Sequence, residues 1–171
     1  MDPTCSKGNK IKRWGCGLIA LNFALNAVGQ NFDPIELNSL LNILFDDYSP
    51  TTPGDPCSGG KINWSSAVKE VSGGTLAFLD KRSTGQSNSN ALDEDLCSPQ
   101  PHPVIIKVRN GDDYHFVVVT GKVGNTYSIV DPGYRNKTRL SDWGIGGSPP
   151  QFSVYGVVKR RNESLAQLNV Y

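Results

Sequence analysis

Two periodicities divide the chain. Between residues 17 and 28 the apolar positions Leu18, Leu21, Leu25 and Val28 recur at helical spacing, and Ile19 and Phe23 widen the stripe, so GLIALNFALNAV predicts a buried helix. Gly29 stops it. Asp33-Pro34 predicts the start of a second helix, the aspartate as cap and the proline in the first turn, with Leu37, Leu40, Leu41 and Leu44 facing inward. Asn63 predicts the cap of a short third helix carrying Trp64, Ala67, Val68 and Val71, which ends at Gly73-Gly74.

From there the period falls to two. Residues 75–79, 103–109, 114–120, 126–130 and 152–158 are β-branched or aromatic runs, bounded by turn residues such as Asn110-Gly111-Asp112-Asp113 and Lys122-Val123-Gly124-Asn125. Residues 46–61 and Ser83 to Asn90 read as polar loops. Helices first and a meander of strands afterwards predict a segregated α+β domain over residues 1–160, a buried helix packing on an antiparallel sheet. Residues 161–171 read as a tail, in which alternation resumes from Ser164 as though a following domain began there.

Composition changes this picture little. At 171 residues and 37% apolar, the chain is long enough for one core, and frequent Gly and Pro suit loops. Seventeen basic residues nearly cancel sixteen acidic ones, with no Lys/Arg cluster interleaved with aromatics, which argues against a nucleic-acid partner. The longest apolar run is too short to span a bilayer, and a monomer is expected. The compartment stays open, with a secreted or cell-surface setting favoured. Cys5, Cys16, Cys57 and Cys97 include no C-x-x-C pair, and two histidines supply no zinc-ligand spacing, so neither metal nor cofactor is expected.

The chemistry concentrates in three residues. Cys16 lies between Gly15 and Gly17 just before the apolar run, so the expected helix would start at the cysteine and lower its thiol pKa by the helix dipole. The flanking glycines, Gly15 among them, leave room for a carbonyl and for an oxyanion near the Cys16 amide. His115 sits one residue into the strand of Tyr114-His115-Phe116-Val117-Val118-Val119, on the face of Val117 and Val119 that is expected to meet the Cys16 helix. Asp131 ends the next strand, before Pro132-Gly133, and a hairpin brings it to the same end as His115. Nucleophile, base and orienter are the roles these three types take together. Each has a plainer reading: a buried or bridged cysteine, a strand histidine, a turn carboxylate bonded to its own backbone. His102, between two prolines, reads as surface or structural.

Trp14-Gly15-Cys16-Gly17-Leu18-Ile19-Ala20-Leu21-Asn22 resembles the G-C-G-x-x-A-L helix start of the bacteriocin-leader-processing peptidase-like branch of the papain-like cysteine peptidase superfamily. Tyr114 to Gly121, then Tyr127 to Tyr134, is similar to that branch's H-F-V-V-V-x-G followed by a strand and D-P. Asp33 to Asn38 and Gly59-Gly60-Lys61-Ile62-Asn63-Trp64 resemble segments of secreted and phage-borne relatives. The resemblance covers about residues 14–145. It implies a papain-like fold, a Cys16-His115-Asp131 triad, no cofactor, and a cysteine peptidase or amidase acting on leader peptides, other proteins or cell-wall peptides. One departure stands out. Where the family carries an oxyanion-binding glutamine, this chain has Lys10, and Asn9 is the nearest amide. A catalytically silent papain-like module that binds a peptide or protein, and a disulfide-stapled extracellular domain with Cys16 bridged, are the competing expectations.

Overall fold

The computed structural model describes residues 7–44, 63–81, 88–110, 113–144 and 150–161. In chain order these form α1 (Lys7–Ala27), α2 (Pro34–Leu44), α3 (Trp64–Val71), β1 (Leu76–Asp80), α4 (Asn88–Leu96), β2 (Val104–Asn110), β3 (Asp113–Val123), β4 (Thr126–Val130), a 3-10 helix (Leu140–Trp143) and β5 (Phe152–Arg160). The architecture is α+β. The loop expected at 46–61, the tail from residue 162, and Cys5 and Cys57 lie outside the described residues.

Local signals set several boundaries. Asp33 Oδ1 accepts from Ile35 N at 2.7 Å and Glu36 N at 2.8 Å, capping α2 as its Asp-Pro start predicts. Asn63 caps α3 by accepting from Ser66 N, and Gly73 and Gly74 end it with positive φ. Leu37 and Leu41 of α2 are buried. Asn22 and Asn26 of α1 both donate to Phe32 O at 2.8 Å, pinning the chain where it leaves that helix.

Two expectations need correction. The strands are all antiparallel but not a meander: the sheet order is β1-β5-β2-β3-β4, so β5 inserts between β1 and β2. Glycine permits this at one point, because a Cβ on Gly156 would lie 2.3 Å from Phe78 Cζ and 2.5 Å from Leu79 O. Second, α4 was not anticipated. Only Ala91, Leu92 and Leu96 give it an apolar side, and its fourth buried residue is Asp95.

The sheet is covered on both faces. On one, α1, α2 and α3 pack against Phe78, Ile105, Val118 and Val158, with Trp64 stacked on Phe78 at 5.5 Å and tilted against Phe116 at 5.5 Å. On the other, α4 and the 3-10 helix pack against Val104, Ile106, Val108, Val117, Val119 and Val154. Into this second layer α4 carries Asp95, whose Oδ1 lies 2.6 Å from Lys159 Nζ and whose Oδ2 lies 3.4 Å from Lys81 Nζ. Asp95 and Lys159 are both buried. The pairing is one of charge, since neither Asp95 oxygen receives a well-angled hydrogen bond. His102 is buried, not at the surface, and its backbone N–H donates to Asp95 O at the end of α4.

Candidate active site

The helix of the nucleophile candidate begins earlier than its apolar pattern suggests. Because α1 starts at Lys7, Cys16 lies well inside it, so the sulfur is not at a helix N-terminus and the dipole argument for its acidity falls. The residues of 7–14 carry no apolar stripe, which is why they read as a polar lead-in. Asn9 and Lys10 fall in the first turns of α1, with their side chains outside the described residues; Gly15 is buried beside Cys16. Cys16 is a free, half-buried thiol, which removes the expectation of a bridged cysteine; Cys97 is also free, and exposed.

His115 does not share a sheet face with α1. Its strand neighbours Val117 and Val119 belong to the α4 layer, whereas α1 packs on the side of Phe116 and Val118. Thiol and imidazole meet instead at the strand edge. Among the described residues β4 pairs with β3 no further than Val118 and Val130, leaving the edge of β3 uncovered toward Asp113. Strand alternation decides which groups face that gap. Ile129 sends its N–H to Thr138 O, away from β3, so Val118 and Val130 form the hydrogen-bonded pair, and Phe116 turns its N–H the same way. Cys16 meets this edge, where the Phe116 N–H and His115 both act on the sulfur and favour its charged form.

The third residue completes the chain of contacts. Asp131 Oδ1 accepts from His115 Nε2 at 2.7 Å, from Gly133 N at 2.8 Å and from Tyr134 N at 2.9 Å, while Oδ2 accepts from Trp143 Nε1 at 3.2 Å. The plain reading of Asp131 as a turn carboxylate is therefore correct as well, and the turn is what aims it. An ionised carboxylate only accepts, so Nε2 carries a proton, and Nδ1 is left to face the sulfur.

Electrostatics follow from these bonds. Burial opposes charge on His115, but the hydrogen bonds to Asp131 and Cys16 and the charges of both outweigh it, raising the imidazole from 6.5 to about 9. Burial pushes the Cys16 thiol up, but the His115 hydrogen bond, the Phe116 N–H, the His115 charge and the Gly17 N–H together hold it below its ordinary value. Burial likewise works against the Asp131 carboxylate, which the His115 hydrogen bond and the Gly133 and Tyr134 N–H groups keep low. Each member of the pair therefore favours the charged form of the other, the imidazolium holding the thiol down and the thiolate holding the imidazole up.

Further residues shape the site that residue-type reasoning did not single out. Trp143 tilts against the imidazole at 5.3 Å between centroids and Tyr134 meets it edge-on at 5.5 Å. Gly133 is needed for close approach, since a Cβ there would come within 3.3 Å of His115 Cε1. Lys137 Nζ stands 3.6 Å from the Trp143 ring centre. Of these, Gly133 and Tyr134 lie in the D-P-G-Y stretch that carries the resemblance; Trp143 and Lys137 gave no signal. Among the described residues no group of three or more His, Cys, Asp or Glu side chains is arranged to hold a metal ion, and no helix is long and apolar enough to cross a membrane. Comparison with protein-family models, with curated proteins and with solved structures returns no match.

Proposed function

We propose that the chain is a papain-like cysteine peptidase or amidase, with Cys16 as nucleophile, His115 as general acid and base, and Asp131 orienting the imidazole. The observation that carries this is the 2.7 Å hydrogen bond from His115 to Asp131 together with the mutual pull of His115 and Cys16, each of which favours the charged form of the other, thiolate beside imidazolium. In that state the sulfur attacks a substrate carbonyl carbon and the carbonyl oxygen takes up the negative charge. The Nδ1 proton passes to the amide nitrogen as the C–N bond breaks, leaving a thioester and a neutral imidazole. Water then gives its proton to Nδ1 and attacks the thioester; the acid departs and the ion pair is restored. Throughout, Nε2 stays on Asp131, so the ring keeps its orientation while its other nitrogen cycles.

A second reading, a papain-like module that binds a peptide without turning it over, draws on one observation. Cys16 lies inside α1, where its own N–H belongs to the helix ladder and is not free for an oxyanion. One experiment separates the two. The folded protein is treated with iodoacetamide between pH 5 and 8, the modified cysteine is mapped by mass spectrometry, and the same preparation is assayed on peptide, protein and cell-wall peptide mixtures. Fast alkylation at Cys16 with turnover supports the enzyme; fast alkylation without any turnover supports the binding module. Alkylation of Cys97 ahead of Cys16 at pH 6 would refute the activated pair on which both depend.

A further inference from the structure

Beyond Asp131 the chain turns through Tyr134-Arg135-Asn136-Lys137-Thr138-Arg139, with three cations and no acid in six residues. The turn is built on the site: Lys137 N donates to Tyr134 O at 3.0 Å, and Tyr134 and Trp143 pack edge-to-face at 5.4 Å while both touch the imidazole. Lys137 Nζ lies over the Trp143 ring and 5.6 Å from the Tyr134 ring centre, so its ammonium is one ring removed from His115. Nearby carboxylates are occupied. Asp131 is spent on four donors, and Asp142 Oδ2 receives the Thr138 and Arg139 N–H groups at 2.9 Å. Among the described residues neither Lys137 nor Arg135 forms an ion pair.

The direction of proton transfer says which part of a substrate passes these groups. His115 gives its proton to the amine that leaves, so the residues attached to that amine lie on the imidazole side, toward Tyr134 and Lys137. We infer that the enzyme selects substrates with a carboxylate on the leaving side, within two residues of the scissile bond, received by Lys137 and Arg135 while the exposed Tyr134 packs the intervening residue. This rests on the cysteine peptidase reading. A charge-assisted contact is strong enough to discriminate, and an acidic substrate is also steered toward it. The carboxylate has two possible sources, the chain terminus or an Asp or Glu side chain.

The test is digestion of a degenerate peptide mixture in two forms, with a free C-terminal acid and with a C-terminal amide, cleavage sites being mapped by mass spectrometry. Expected is at least a tenfold enrichment of sites followed within two residues by Asp or Glu, by the free C-terminus, or by both. Enrichment that survives amidation assigns the side chain; enrichment that vanishes assigns the terminus. Lys137→Glu should reverse the preference toward Lys and Arg, and Lys137→Gln should flatten it, with Cys16 alkylation reporting that each variant's site is assembled. Cleavage without charge preference, or a preference unchanged in Lys137→Glu and Arg135→Glu, overturns the inference and leaves the peptidase reading standing. Rapid Cys16 alkylation with no peptide cleaved in either form overturns both.

Discussion

Asp131 and Asp95 are both buried carboxylates in the layer on the α4 side of the sheet, and they hold their cations by different means. Asp131 is surrounded by hydrogen-bond donors supplied by its own turn and by Trp143, and its cation is an imidazole, which can release a proton. Asp95 faces two ammonium groups at 2.6 and 3.4 Å, brought from β5 and from the residue after β1, with no well-angled hydrogen bond to either oxygen. One carboxylate is therefore set up to orient a group that changes charge, and the other to fasten α4 to the sheet. A buried ion pair is suited to chemistry when its cation can release a proton and has a second partner to serve, here a thiol.

Substitutions should separate the two carboxylates, beginning with the cation of the first. His115→Ala should reduce turnover to background, and Cys16→Ala should do the same; the double variant should be no worse than either, since the two act as a unit. The measurement is kcat/KM on a peptide cleaved by the wild type. Asp131→Asn keeps the shape but not the charge, and should lower kcat/KM by about 10²–10⁴-fold. It should also move the alkaline limb of the pH profile. The imidazolium is favoured in the fold, from 6.5 to about 9, so its contribution to stability is full below about 6.5 and is lost as pH climbs through about 9. Without the Asp131 charge that limb should fall toward 6.5, and a limb that stays near 9 would show that Asp131 is not what raises the imidazole.

Asp95→Asn should give the opposite pattern. It leaves Lys159 buried without its counter-charge, so the unfolding free energy should drop by about 3–5 kcal/mol in denaturant titration, while kcat per folded molecule is retained. Loss of activity without loss of stability would erase the distinction drawn between the two pairs. The smallest expected effect is Gly133→Ala. Its Cβ, 3.3 Å from His115 Cε1, requires the ring to yield by a few tenths of an ångström, for a loss on the order of tenfold in kcat with stability little changed.

Much of the local structure was legible because its causes are local. Asp33 and Asn63 cap helices by side-chain bonds to N–H groups two or three residues away, β2 and β3 declare themselves by alternation between two buried faces, and β4 by Tyr127 and Ile129 on one face with exposed residues on the other. His115 and Asp131 could be nominated by type and by their places near strand ends, and Cys16 by type and by a helix start that the structure moves to Lys7. Their manner of meeting could not, since it depends on where β4 stops and on a helix extended through a polar segment. The same is true of α4: Asp95 interrupts its apolar side, and the lysines that neutralise it come from residues 81 and 159. Nor does any local pattern specify that β5 lies between β1 and β2.

That strand order also bears on when the thiol becomes reactive as the chain is made. Until residues 152–160 have emerged, β1 has no strand partner joining it to the β2-β3-β4 sheet and meets it through side chains such as Trp64, so the fold must close through contacts between segments far apart in sequence, a topology that assembles in milliseconds to seconds rather than microseconds. Cys16 is synthesised early and His115 nearly a hundred residues later, so a nascent chain carries a thiol without the hydrogen bonds and charge that lower its pKa. On the proposed reading, activation of the thiol waits until His115 and Phe116 have been made and packed against it.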